Sequence, residues 1–197
     1  MNPYRIPEPE PEASAAVPAS SGAVLKAVAF AAERFLAAGN WRDCIDEVLA
    51  GLGEATGADR ILMFVNDEDV AGVPSTMVPA AEWTAPGIDR LTGRPGMNDH
   101  PYQDGHERWI AALSAGEIVL EKTDGPAGTE CACMAESGTR SAVLVPVISG
   151  GQWWGFVVFN DCTTDRDWDP EVVDALRTAA ALVGAAVERG RTEGKLR

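Results

Sequence analysis

Hydrophobic positions along the chain change period several times, and each change marks an element. From Val24 to Leu36 apolar residues recur at helical spacing, with Val24, Val28, Ala31 and Phe35 forming a stripe and Leu25, Ala29, Ala32 and Leu36 lying beside it. Ser20 or Ser21 supplies an N-cap and Gly39 a stop, so the pattern predicts a helix with an unusually broad apolar face. Asn40 can cap a second helix, with Asp43 three residues on. Its buried face would be Trp41, Ile45, Val48, Leu49 and Leu52, and it would end before Gly57. Residues 61–65, ILMFV, form a short continuous apolar run that suits a strand covered on both faces. Residues 75–84 alternate loosely around Met77 and Trp83 and predict a more lateral strand. Residues 106–115 return to helical spacing, with Trp109, Ile110 and Leu113 on one side, and 117–122 alternate as a strand.

The most strongly patterned stretch is 140–162, RSAVLVPVISGGQWWGFVVFNDC. Two apolar runs flank Gly150-Gly151, a pair suited to the positive φ angles of a two-residue hairpin turn. Unbroken alternation from that turn pairs Ser149 with Gln152, Ile148 with Trp153, Val147 with Trp154, Pro146 with Gly155 and Val145 with Phe156. Both faces of such a hairpin are apolar, so it belongs at the centre of a sheet with layers above and below. Asp169-Pro170-Glu171 then opens a last helix, whose inner stripe is Val172, Leu176, Ala179, Val183 and Val187. The polar end beyond Glu188, with Gly190 and Gly194, is expected to gain little from packing.

Composition narrows the partners. At 197 residues the chain fits one domain with tails, and its net charge is −14, from 30 acidic and 16 basic residues. An acidic surface offers neither nucleic acid nor an anionic membrane any electrostatic gain, so small molecules or proteins are the expected partners. No apolar run approaches the roughly 20 residues that cross a bilayer, the N-terminus has no signal-peptide pattern, and the expected location is cytoplasmic. Residues 1–19, rich in Pro, Glu and Ala, are expected to form a disordered tail. Four cysteines, Cys44, Cys131, Cys133 and Cys162, are too unevenly spaced for a disulfide scaffold.

Several phrases resemble the GAF family of small-molecule-binding regulatory domains found in bacterial signalling proteins: EWTAPGI (82–88), ERWIAALSAGEIV (107–119), RSAVLVPV (140–147), WWGFVVFNDC (153–162) and RDWDPEVVDALRTAAALVGAAVER (166–189). The resemblance covers roughly residues 20–190. It implies an α+β, three-layer domain with a central antiparallel sheet of five to six strands in the order 2-1-5-4-3. The first and last helices would pack on one face, and crossovers covering a ligand pocket would lie on the other. It further implies a sensory domain spanning 20–189, with 190–197 beginning a linker, that works as a homodimer through a helical bundle and passes its signal to a kinase or cyclase output domain. The cyclic-nucleotide signature of some members is missing, and Cys131 is followed by Ala132 where bilin-binding members usually carry His, so neither cofactor is favoured and the ligand stays unassigned.

The candidate ligand-binding residues are Trp83, His106, Trp109, Cys131 and Cys133. Trp83 and Trp109 would flank the implied pocket, where aromatic walls suit a small planar ligand, although ordinary core packing explains them as well. Trp41, Trp153 and Trp154 are read as core, and Trp168 as packing under the start of the last helix. Cys131 and Cys133 sit in the 123–139 crossover, where two neighbouring thiols could sense oxidants, but Asp124, Glu130 and Glu136 would raise their pKa values and slow that chemistry. His100 and His106 with the same cysteines match no standard metal spacing, and no metal is expected. No catalytic constellation is recognisable, so the leading expectation is a non-catalytic sensor. The alternative is a thiol-dependent oxidoreductase or redox sensor of the GAF-type free methionine sulfoxide reductase class, whose cysteine spacing differs from the one here.

Overall fold

The structure is a computed structural model that describes residues 20–68, 74–94, 100–102, 106–123 and 134–195. Helix α1 runs Ser21–Ala37, and Ser20 caps it by accepting a hydrogen bond from the Ala23 amide at 3.2 Å. Asn40 caps only a 3-10 turn, Trp41–Asp43. The chain breaks at Cys44 before helix α2, Ile45–Thr56, which ends on Gly57 in the left-handed conformation. There follow strand β1 (Arg60–Glu68), β2 (Pro74–Thr84), the two-residue β3 (His100–Pro101), helix α3 (Glu107–Ser114), β4 (Val119–Lys122), β5 (Ser141–Ser149), β6 (Gln152–Asp161) and helix α4 (Pro170–Lys195).

The strands form one antiparallel sheet in the order β3-β2-β1-β6-β5-β4. Without the short edge strand β3 this is the 2-1-5-4-3 order expected from the sequence. The hairpin β5–β6 and strand β1 occupy the middle, where both faces are covered. On one face α1, α2 and α4 pack over Ile61, Met63, Val143, Val145, Val157 and Phe159. On the other, α3 and the connecting segments pack over Leu62, Phe64, Leu144, Phe156 and Val158. Burying each such Leu or Phe contributes about 1.5–3 kcal/mol, so two cores back to back explain why neither strand face is polar.

The hairpin turn lies at Gly150-Gly151 with positive φ at both, and Ser149 pairs with Gln152 and Ile148 with Trp153 as alternation predicts. Beyond those two pairs the predicted register fails. A one-residue bulge at Trp154 makes Val147 the partner of Gly155, Pro146 of Phe156, Val145 of Val157 and Val143 of Phe159. Trp153 faces the α3 side and Trp154 packs against Trp41 on the helical side with ring centroids 5.5 Å apart, and the bulge then keeps Gly155, opposite Val147, on that same helical side. It also reverses the faces of every later β6 residue relative to simple alternation.

A second bulge lies in β2, where Met63 pairs with Ala81 but Phe64 with Pro79. Met77, Ala81 and Trp83 would share a face in a regular strand. The extra residue instead puts Met77 on the α3 side and Ala81 and Trp83 on the helical side.

Helix α4 buries the predicted stripe of Val172, Leu176, Ala179, Val183 and Val187. Several of its small residues, Ala179, Ala180, Gly184 and Ala186, serve contacts within the chain. A Cβ built on Gly184 would stand 2.1 Å from the Ile148 carbonyl oxygen, so only glycine lets the helix lie this close to the hairpin. The helix also continues through Glu188 to Lys195, with residues 191–193 exposed, in keeping with a polar end that gains little from packing. Arg189 ties it to the end of α1 by donating to the carbonyls of Phe35 and, at 2.8 Å, Ala38.

Candidate functional site

The face covered by α3 carries a partly open cavity of about 60 Å³. Its walls are Leu62 and Phe64 from β1, Met77 from β2, Leu144 from β5, Phe156 and Val158 from β6, and Trp109 from α3. Leu91 and Met134 close it from the connecting segments, and Ser137, Thr139 and Asn160 supply its polar groups. Phe64 and Phe156 stack with centroids 5.1 Å apart.

Trp109 is fixed from two sides. It is buried, and its indole Nε1 donates to the Glu121 carboxylate at 3.0 Å. The same carboxylate accepts from Arg108, so an acid on β4 orients the helix that roofs the cavity. His106, just before α3, is 1 % exposed, with its ring 5.4 Å from Trp109. It supports the tryptophan from behind and is not part of the cavity wall among the described residues.

Two buried charges hold the covering segments. The Glu82 side chain, fully buried on β2, accepts hydrogen bonds from the Leu91 amide at 2.7 Å, the Thr92 amide at 3.0 Å and the Thr92 hydroxyl. Those bonds place Leu91 over the cavity. Arg60 on β1, its side chain 4 % exposed, lies 3.9 Å from Glu82 and donates to the Asp89 and Ser137 carbonyls at 3.0 Å each. One ion pair therefore stitches the segment after β2 to the segment before β5. Each charge thus has a counter-charge nearby and hydrogen bonds to backbone groups, which offset most of the cost of burial, although Arg60 Nε itself has no hydrogen-bond partner.

Of the residues singled out from sequence, Trp109 lies on the cavity and His106 directly behind it. Trp83 does not line the cavity. The β2 bulge turns it to the other face of the sheet, where α2 lies directly on its ring; a Cβ at Gly53 would stand 2.2 Å from it. Cys131 and Cys133 lie outside the described residues, as do residues 124–133 of their crossover. The other two cysteines, Cys44 and Cys162, are free thiols whose pKa values burial pushes up, which lowers their thiolate fraction and reactivity. Sequence reasoning missed Asn160, Thr139 and the Arg60–Glu82 pair. A signal existed for two of them: Arg60 adjoins the apolar run of β1, and Asn160 interrupts that of β6. Thr139 sits in an irregular segment with no periodicity to read.

A central antiparallel sheet with helices packed on one face and a roofed cavity on the other defines a three-layer α+β class of domain. The comparisons specify it further. A family profile for the GAF domain matches residues 40–187, and the chain belongs to that family. Over 152 residues it is 30 % identical to the methanogenesis regulatory histidine kinase FilI of Methanothrix harundinacea (strain 6Ac). That match covers 77 % of this chain and only 17 % of the kinase. Among solved structures it superposes on the blue-light absorbing form of the Thermosynechococcus elongatus PixJ GAF domain with a TM-score of 0.63 at 20 % identity, covering 79 % of this chain and 89 % of that one. It also superposes on the phycocyanobilin-bound GAF domain of a cyanobacterial phytochrome with a TM-score of 0.65 at 15 % identity, covering 90 % and 98 % of the two chains. No helix among the described residues is long and apolar enough to cross a membrane.

Proposed function

We propose that this chain is a non-catalytic sensory domain of a signalling protein. A small molecule in the cavity beneath α3 biases the positions of α1 and α4, which carry the signal to an output domain of the histidine kinase kind. One observation carries this reading: cavity and signalling helices share their strands. Leu144, Phe156 and Val158 face the cavity, while their neighbours Val143, Val145 and Val157 in β5 and β6 face the core built with α1 and α4. A ligand that moves a shared strand therefore presses on both layers, because packed cores transmit strain rather than absorb it. The kinase relative and the photoreceptor neighbours support the sensory assignment.

Transmission in this reading needs a second copy of the chain. Helix α1 leaves Leu25 58 % and Leu36 78 % exposed, eleven residues apart on one side, with exposed Ala29 between them. Helix α4, which adjoins α1, turns Ala181 and Ala185 outward. Pairing of these helices across a two-fold axis covers both sets of residues. Sedimentation velocity tests this directly. The wild-type chain is expected to be a dimer at micromolar concentration and the Leu25→Glu/Leu36→Glu variant a folded monomer. A wild-type monomer at high micromolar concentration refutes helical pairing. For the ligand, native mass spectrometry of freshly purified protein is expected to show a bound small molecule, lost on denaturation. Its absence, together with no binding from a metabolite-sized compound library, refutes the sensory reading.

A further inference from the structure

The chemistry of the cavity constrains its ligand, given that the cavity is the sensory site. Its volume of about 60 Å³ is well below the roughly 150 Å³ of an engineered protein cavity that admits benzene. Most of the wall is apolar, and its polar groups come from one cluster. Ser137 Oγ lies 3.0 Å from Thr139 Oγ1, which donates to Asn160 Oδ1 at 3.4 Å. Asn160 itself is only 4 % exposed, and its Nδ2 donates to no protein atom among the described residues. A buried amide N–H that faces a cavity without an acceptor is unfavourable, and a ligand oxygen placed there would relieve that cost.

Among the described residues, no charged side chain lies on the wall. The nearby buried charges, Arg60 and Glu82, are not on the wall; they pair with each other and hydrogen-bond the backbone of the covering segments, so each already has its counter-charge. We propose that the cavity recognises a small uncharged molecule bearing one hydrogen-bond acceptor oxygen, a carbonyl or hydroxyl, which Asn160 Nδ2 engages while the apolar remainder packs against Phe64, Phe156 and Met77. Asn160 is then the residue that sets specificity.

Three probes of similar size test this: acetone, propane and acetate. The readout is the ¹³C-methyl NMR shifts of Met77 and Met134, which both line the cavity. In the wild-type chain acetone is expected to shift both methyls saturably and acetate to shift neither. In Asn160→Leu, which preserves size and removes the donor, acetone affinity should fall roughly three- to tenfold, the worth of one hydrogen bond, with propane affinity unchanged. Equal changes for acetone and propane, as when a retained water satisfies the amide, overturn the assignment to Asn160. Saturable acetate binding at the methionines overturns the uncharged-ligand inference, and the wild-type comparison decides this even where Asn160→Leu does not fold. If propane and acetone both leave the wild-type methionine shifts unmoved, the cavity is not a ligand site and the sensory reading itself fails.

Discussion

Gly155 sits where the hairpin bulge brings β6 hard against the central strand, and replacing it gives a direct test of that geometry. A Cβ built there would stand 2.1 Å from the Phe64 carbonyl oxygen, 3.1 Å from the Phe64 carbonyl carbon and 3.1 Å from the Val65 Cα. All three are backbone atoms of β1, so no side chain can swing aside. Relief requires β1 and β6 to part by about an ångström, which weakens the ladder in which Gly155 pairs with both Val65 and Val147. Overpacking of a dense core typically costs about 1–3 kcal/mol. With rigid backbone as the obstacle, Gly155→Ala should fall in the upper part of that range. For a domain of this size each kcal/mol moves Tm by roughly 2–4 °C, so a drop of about 4–12 °C is expected. Circular dichroism melting and urea denaturation measure it. Gly190→Ala is the matched control, since nothing lies within 4 Å of its Cβ position in helix α4. That change should stabilise by about 0.5–1 kcal/mol through helix propensity alone. If Gly155→Ala melts with the wild type, the bulge register is wrong.

Glu82→Ala leaves the Arg60 guanidinium buried without its counter-charge and releases Leu91 and Thr92, at an expected cost of about 3–5 kcal/mol. A urea midpoint shift worth less than about 1 kcal/mol would show that the pair is not holding the segments. Gly184→Val places a side chain against the Ile148 carbonyl and should lift α4 from the hairpin, exposing more surface to hydrogen exchange in α4 and β5; unchanged protection there refutes the close approach. Tyr102 donates to Asn66 at 2.7 Å, and burial raises its hydroxyl pKa above the ordinary value of 10.0. Above pH 10 the unfolded chain therefore loses this proton while the folded chain keeps it. Stability should decline as pH rises from there, and Tyr102→Phe should remove that part of the slope in denaturation series between pH 9 and 11.

Residues whose pattern is local were readable from the sequence. The helix stripes of α1 and α4, the Ser20 cap, the Gly57 stop and the Gly150-Gly151 turn each depend on neighbours a few positions away, and the structure has them where the pattern puts them. An oily hairpin with two apolar faces also implied two covering layers, because neither face can be left in water. The family resemblance supplied the strand order, which periodicity alone does not contain.

Tertiary structure decided the phase of the strands. A single extra residue at Trp154 and another in β2 reverse which side chains face the cavity, and the cost or gain of a bulge lies in contacts between strands distant in sequence. That is why Trp83, so plausible as a pocket wall, lies under α2 at Gly53, and why Phe156 and Val158 reach the cavity instead. The same holds for Arg60, Glu82 and Asn160. In sequence they are polar residues in or beside apolar runs, and only the folded sheet, by burying Glu82 against Arg60 and placing Asn160 on the cavity wall, shows which polar groups hold the covering segments and which line the cavity.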